Sequence, residues 1–392
     1  MKNDTIHRGS SKAGIAGLLL SLLAAWGGAG PLAGCGGPGG GTTSSGTTST
    51  GQGGSATTST TSTTSTTSTG QGGGGGTITL AQREAAAKEA AGHNPACTEL
   101  PTPFYWEIGD VTGPLVSGPG GDADAQPVDP SASMLIASSS KWLFGAYALE
   151  KMPYDAIVAA GDDAYLHFTS GYDNLSDGLC DLTTTVGACF MAGNNDVQNA
   201  GDVGKFDYNS GHLQAYAVKV AILGGDYSSL STKTPQLADD IQAAIGDMGL
   251  EYQVPLLAGG GAVSPSEYGA FLRRILGGQL AILGHLGDDA VCAWTHHPDC
   301  NAIYSPVNES APGAPTNDVS DEKWHYSLAH WVEPDGTFSS PGKFGFYPWI
   351  DASKTYYGIV ARYDKAKETP PAYFSSAMCG RAIRDAWLSG HS

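Results

Sequence analysis

Ser133-Met-Leu-Ile-Ala-Ser138-Ser-Ser-Lys141-Trp-Leu-Phe-Gly-Ala-Tyr-Ala-Leu-Glu150 changes character in its middle. The apolar run Met134-Leu-Ile-Ala137 reads as a strand, and from Ser138 the pattern becomes helical to about Lys151. A serine in the first turn of a helix lies beside backbone N–H groups that lack intrahelical partners, at the end where the helix dipole favours negative charge. Lys141 follows three residues on, hence on the face of Ser138, whereas Ser139 and Ser140 do not have that spacing. An amine beside such a hydroxyl can act as its base, the Ser-Lys form of nucleophilic catalysis. The competing reading is an N-cap serine followed by a surface lysine. The same spacing recurs at Ser320-Asp-Glu-Lys323 and Ser340-Pro-Gly-Lys343, but only the copy at Ser138 follows a strand-like run and opens an apolar helix.

Upstream of this stretch, Thr79-Leu-Ala-Gln82 is a capping-box pattern ahead of a strong helix former, Ala81 to Ala91. Phe104-Tyr-Trp-Glu-Ile108 and Pro114-Leu-Val116 read as strands around a turn. Downstream, the segment from Phe206 to Tyr216 begins with turn residues and passes into a helix predicted to end near Gly224-Gly225. Gly259-Gly-Gly-Ala-Val-Ser264 precedes Pro265-Ser-Glu267, a second capping box with proline at N1, and a helix to about Leu276. Trp324-His-Tyr-Ser-Leu-Ala-His-Trp-Val332 alternates like a strand, and Glu333-Pro-Asp-Gly336 is a turn. Residues 343–350 and 356–363 read as two more strands joined by Asp351-Ala-Ser-Lys354, and 374–388 as a final helix. Helix, strands, helical middle, strands, helix predicts an α+β fold: an antiparallel sheet built from both ends of the chain, flanked by helices, with a helical lobe inserted.

Five segments, taken in order, resemble the serine β-lactamase and penicillin-binding-protein-like hydrolases, most closely their class C and esterase branch. Ser138-x-x-Lys141 matches the nucleophile motif, and Leu166-His-Phe-Thr-Ser-Gly171 resembles that branch's Leu-x-His-Thr-Ser-Gly. Tyr208-Asn-Ser210-Gly resembles its Tyr-x-Asn or Tyr-x-Ser motif, and Gly259 to Ser264 its Gly-Gly-hydrophobic-x-Ser turn. Ser340-Pro-Gly342-Lys-Phe-Gly345 falls where a Lys-Thr-Gly, His-x-Gly or Trp-Gly-Gly triplet opens a sheet strand. The resemblance implies an attack by Ser138 on an ester or amide carbonyl, with Lys141, desolvated and partly neutral beside Tyr208, taking the proton. It further implies that Tyr208 relays protons to the leaving group and later activates water, and that Ser210 hydrogen-bonds Lys141 or the substrate. The backbone N–H groups of Ser138 and Lys343 are the implied oxyanion donors, with Ser340 and Gly342 bordering the substrate and Gly342 allowing close approach. The chemistry calls for no cofactor and no metal.

The chain departs from the pattern at Ser340-Pro341, where the β-lactamases and cell-wall peptidases carry a cationic or hydroxyl pair associated with a substrate carboxylate. Strand alternation sends the Lys343 side chain to the face opposite Gly342, so it is not expected to replace the missing cation. Lys354-Thr355-Tyr356 looks superficially like the missing triplet but reads as a solvated hairpin turn, and Ser210 stands where many relatives have asparagine. The expected preference is therefore for esters without a carboxylate over β-lactams or D-Ala-D-Ala peptides.

The chain's first part is not read as fold. Lys2, Arg8 and Lys12 precede an apolar region from Ala13 to Trp26, which is short for a membrane span. Leu32-Ala-Gly-Cys35 then resembles the bacterial lipobox, implying cleavage before Cys35 and a lipid on its sulfur. The alternative is an ordinary signal peptide cleaved nearby, and both readings export the protein. Residues 1–34 are thus a lipoprotein signal peptide, and 35–76, almost wholly Gly, Ser and Thr after Cys35, a disordered tether. Residues 77–392 form the hydrolase domain, large enough for a sizeable core. Lys and Arg number 20 against 38 Asp and Glu, a formal net charge of −18 that argues against nucleic acid and against a polybasic membrane surface. Contact with a membrane, facing the periplasm or at the cell surface, is expected only through the lipid.

Seven cysteines less Cys35 leave an even six, which in an exported protein suggests disulfides. Proximity pairs Cys180 with Cys189 and Cys292 with Cys300, leaving Cys97 with Cys379. His296 and His297 lie between Cys292 and Cys300, but the spacing fits no common zinc pattern, so the disulfide is preferred. The function expected is an exported, lipid-anchored serine hydrolase acting on a small-molecule ester or amide, with cell-wall peptide among the candidates. The alternatives are a β-lactamase or D-Ala-D-Ala carboxypeptidase, or a surface lipoprotein that keeps the fold for binding and has lost catalysis.

Overall fold

The computed structural model of the 392-residue chain describes residues 77–121, 126–220, 227–232, 235–295, 297–307, 322–366 and 370–392. The predicted signal segment, the motif ending at Cys35 and the Gly/Ser/Thr tract lie outside the described residues, as do Gly224, Gly225, His296 and Ser320.

The strands are, in chain order, β1 (Phe104–Asp110), β2 (Gly113–Gly120), β3 (Met134–Leu135), β4 (Phe206–Asp207), β5 (Glu251–Tyr252), β6 (Gly261–Val263) and β7 (Val291–Cys292). They continue with β8 (Ala302–Tyr304), β9 (His325–Ser327), β10 (His330–Val332), β11 (Phe338–Ser339), β12 (Tyr347–Ile350) and β13 (Tyr357–Ala361). Eight of them form one sheet in the order β2-β1-β13-β12-β11-β10-β9-β7, with every pairing antiparallel. The sheet joins both ends of the described chain through β1 and β13, with Trp106 opposite Val360. Two small assemblies accompany it: β3-β6-β5, and the parallel pair β4-β8.

Alternation along β1 divides two cores. Phe104, Trp106 and Ile108 lie with Tyr347, Trp349 and Val360 beneath the helices Leu80–His93 and Ala372–Ser389. Those helices present alanines, Ala86, Ala87, Ala90 and Ala91 against Ala377 and Ala386, small enough to bring their axes close. The first helix is capped reciprocally: Thr79 N donates to Gln82 Oε1 at 2.8 Å, and Gln82 N to Thr79 Oγ1 at 3.3 Å. Tyr105 and Ile359 face the larger core, which contains the helices Ser140–Lys151 and Pro265–Leu276. Ser140 through Leu149 are buried, as expected of a helix apolar on nearly all sides. Cysteine pairs 97–379, 180–189 and 292–300 are joined as disulfides.

Three expectations about local structure need correction. The alternating run from Trp324 to Val332 is a hairpin: β9 and β10 pair antiparallel, with His330 opposite Ser327. Its two-residue turn puts Leu328 and Ala329 at φ 44° and 61°, a left-handed geometry that normally selects Gly or Asn. Tertiary contacts hold it there, because Ala329 N donates to the Leu166 carbonyl at 2.8 Å and Leu328 packs against Gly145. The predicted strand 343–350 begins only at Tyr347, since residues 343–345 turn the chain, with Gly345 at φ 101°. The Ser340 segment thus follows β11 instead of opening a strand, and extends its pairing: Ser340 N donates to Pro348 O at 3.2 Å and Gly342 N to Phe346 O at 2.7 Å. Finally, the helix predicted from Ser138 starts at Ser140, preceded by a single 3₁₀ turn, Ala137–Ser139.

Candidate active site

The strand-to-helix junction does the positioning. Strand β3 ends at Leu135, and Ala137 then takes φ 45°, a left-handed conformation that costs a non-glycine residue about 1–3 kcal/mol. The reversal separates the three adjacent serines. Ser139 Oγ donates to the Ser340 carbonyl at 2.6 Å, and Ser140 Oγ accepts from Gly261 N at 3.2 Å, both buried and committed to structure. Only Ser138 opens into a pocket, of about 340 Å³, whose walls include Lys141, Asp177, Tyr208, Ser210, Trp331, Pro341 and Lys343.

Lys141 Nζ lies 2.9 Å from Ser138 Oγ and donates to the Ala258 carbonyl at 2.9 Å. It sits 4.8 Å from the centre of the Tyr208 ring and is 3 % exposed. Burial lowers its pKa from 10.5 to about 8, with the Asp177 carboxylate pulling the other way. A lysine in this state is neutral often enough near pH 7 to accept the Ser138 proton. Tyr208 is pushed up to about 12 by burial, against the hydrogen bonds from Ser138 and Trp331, so it remains a phenol. Its ring stacks on Trp331 with centroids 4.9 Å apart, and its backbone N donates to the Tyr304 carbonyl at 3.1 Å. Neither the Ser138 amide nor the Lys343 amide takes part in a backbone hydrogen bond among the described residues. Both residues line the pocket.

Ser138, Lys141, Tyr208, Ser210 and Lys343 are therefore brought together, whereas Ser340 and Gly342 are not in the pocket wall. Ser340 Oγ donates to the Ser138 carbonyl at 3.1 Å, behind the nucleophile. Gly342 faces the Ile136 carbonyl so closely that a Cβ there would stand 2.1 Å from the oxygen. The expected strand alternation does not apply here, because residues 343–345 turn the chain; Pro341 and Lys343 line the pocket while Gly342 packs against Ile136. Lys343 is exposed at that wall, so the segment does carry a cation. Ser210 makes no hydrogen bond to Lys141, whose partners are Ser138 and Ala258.

Sequence reasoning missed Trp331, Asp177 and the Ala258 carbonyl. Trp331 lay within a run read only as a strand, and Asp177 in a polar loop. Ala258 acts through its backbone and leaves no mark on residue type. The disulfide cysteines lie outside the pocket wall.

No protein-family model matches the chain, and no curated protein is similar to it in sequence. Solved structures are similar in three dimensions. The D-amino acid amidase of Ochrobactrum anthropi SV3, complexed with L-phenylalanine, is 12% identical, with a TM-score of 0.53 over 79% of this chain and 98% of its own. A β-lactamase from Mycobacterium bovis is 13% identical, with a TM-score of 0.42 over 74% of this chain and 97% of its own. Simvastatin synthase (LovD) from Aspergillus terreus is 12% identical, with a TM-score of 0.44 over 77% of this chain and 98% of its own. The likeness is one of fold: the chain shares its mixed helix and antiparallel-sheet fold with the D-amino acid amidase.

Proposed function

We propose that the protein is an exported, lipid-anchored serine hydrolase that cleaves small esters or amides through an acyl-enzyme on Ser138. The observation that carries this reading is the 2.9 Å approach of Ser138 Oγ to a buried Lys141 Nζ at a pocket. In the reaction, neutral Lys141 takes the Ser138 proton as Oγ attacks the carbonyl carbon, and the oxyanion is held by the Ser138 and Lys343 amides. As the tetrahedral intermediate collapses, the bond to the leaving group breaks, Tyr208 delivers its phenolic proton to it, and Lys141 returns the Ser138 proton to Tyr208. Water then attacks the acyl-enzyme, gives up its proton to the same relay, and releases the acid. Amides stand beside esters because an amidase shares the fold.

A fluorophosphonate probe followed by peptide mapping tests the reading. Labelling at Ser138, lost in Ser138→Ala together with nitrophenyl-ester hydrolysis, is the expected result. No labelling and no turnover would favour the alternative of a binding lipoprotein without catalysis. Lys343 favours a second reading, a β-lactamase or D-Ala-D-Ala carboxypeptidase, because an exposed cation at the wall can meet a substrate carboxylate. Faster kcat/KM for a chromogenic cephalosporin than for a nitrophenyl ester would select it. Export is supported by the lipobox-like Leu32-Ala-Gly-Cys35 and by the three disulfides. Cys35→Ser should release the protein from membranes or block its processing, and unchanged fractionation would remove the anchor from the proposal.

A further inference from the structure

Tyr208 does its assigned work only if its phenol is held against Ser138 and Lys141, yet it stands in the irregular link between β4 and the helix Gly211–Lys219. Behind that link lies a serine–histidine pair that the chemistry does not use. Ser170 Oγ is 2.7 Å from His212 Nδ1, and His212 Nε2 is 3.0 Å from the Asp207 carbonyl. Ser170 is 4 % exposed and His212 wholly buried, and neither lines the pocket, so the pair is not a second nucleophile and base.

The hydrogen-bond roles follow from the acceptor. A carbonyl cannot donate, so His212 Nε2 carries the proton and donates to Asp207. Burial pushes the imidazole down to about 3, which keeps it neutral and leaves Nδ1 as an acceptor for the Ser170 hydroxyl. Asp207 is also held from its other side, its amide donating to the Phe168 carbonyl at 3.0 Å. The Phe168 ring stacks on His212 at 5.0 Å and leans on Tyr208 at 5.7 Å, so one side chain spans the pair and the phenol.

We propose that Ser170 and His212 are positioning residues: by fixing the Asp207 carbonyl they set the Asp207–Tyr208 peptide, and with it the Tyr208 phenol, at the nucleophile. This rests on the reading that Tyr208 protonates the leaving group. A good leaving group such as nitrophenolate needs little of that proton, whereas an alkoxide needs it fully. A displaced phenol should therefore penalise alkyl esters selectively, a signature that general loosening of the fold would not produce.

The experiment measures kcat/KM for nitrophenyl and alkyl esters of one acyl group, on the full domain, for Ser170→Ala, His212→Phe and Tyr208→Phe. For the first two, loss on the alkyl ester is expected to be on the order of 10- to 100-fold, with the nitrophenyl ester changed by less than about threefold. Ser170→Thr, which keeps the donor, should restore the alkyl ester rate. If His212→Phe does not fold, Ser170→Ala and Ser170→Thr carry the comparison. Tyr208→Phe selective for alkyl esters with Ser170→Ala not selective overturns the positioning pair alone. Tyr208→Phe with equal loss on both esters overturns the reading of Tyr208, and the pair's role with it.

Discussion

Raising the pH from about 6 to about 9 should increase kcat/KM for a neutral ester roughly 10²-fold, because Lys141 is a base only when neutral. Burial has brought its pKa to about 8, so the neutral fraction is about one part in a hundred at pH 6, one in ten at pH 7 and nine in ten at pH 9. At the ordinary value of 10.5 the fraction at pH 7 would be about 300-fold smaller than here, which measures what burial contributes to the reaction. The sign is set by the role: protonation below the midpoint removes the base, and the rate falls tenfold per unit. Tyr208, at about 12, adds no limb in this range, and no histidine among the described residues lines the pocket. Asp207, raised by burial and by Asp173 and Asp202 to about 7, titrates beside Tyr208, so Asp207→Asn serves as the control that should leave the limb near 8 in place. Asp177→Asn should move the midpoint down, because that carboxylate now holds it up. The assay is nitrophenyl-ester hydrolysis read at a pH-independent wavelength and corrected with Ser138→Ala. Lys141→Arg, always charged, should lose about 10³-fold. A flat profile, or a Lys141→Arg rate within tenfold of wild type, refutes Lys141 as the base.

Gly342→Ala should cost about 10²-fold in kcat/KM and about 1–3 kcal/mol in stability, since the new methyl meets the Ile136 carbonyl and pushes the nucleophile's turn off the pocket wall; ester kinetics and a melting curve check both. Glu333→Ala should destabilise the fold by about 1–3 kcal/mol in denaturant unfolding, because it leaves the buried Tyr347 hydroxyl without its acceptor and removes one of two carboxylates from Arg384 and from Arg381, which keep Asp335 and Glu322. Thiol titration of the denatured, non-reduced domain should find no free thiol, and replacing Cys97 and Cys379 with alanine should lower stability by about 2–5 kcal/mol, as a tie across 282 residues is lost.

The features legible in the chain were those set over a few residues. Three-residue spacing brings Lys141 back beside Ser138 across the 3₁₀ turn that leads into the helix, and the observed 2.9 Å contact is a consequence of that local geometry. Thr79 and Gln82 cap their helix through groups they carry themselves, and Ser264 accepts from the Glu267 amide in the same local way. The order of elements was enough to bring β1 and β13 together in one sheet. Tertiary structure decided what depends on phase and on distant partners. Alternation would separate Lys343 from Gly342 in a strand, but the chain turns at residues 343–345 and Lys343 lines the pocket. That was decided by the packing of Gly342 against Ile136, some two hundred residues earlier in the chain. The turn at Leu328 and Ala329 is unfavourable locally and exists because Gly145 and Leu166 receive it. The Ala258 carbonyl reaches Lys141, and His212 reaches Asp207 from behind Tyr208, through backbone atoms that every residue carries, so no residue type could announce them.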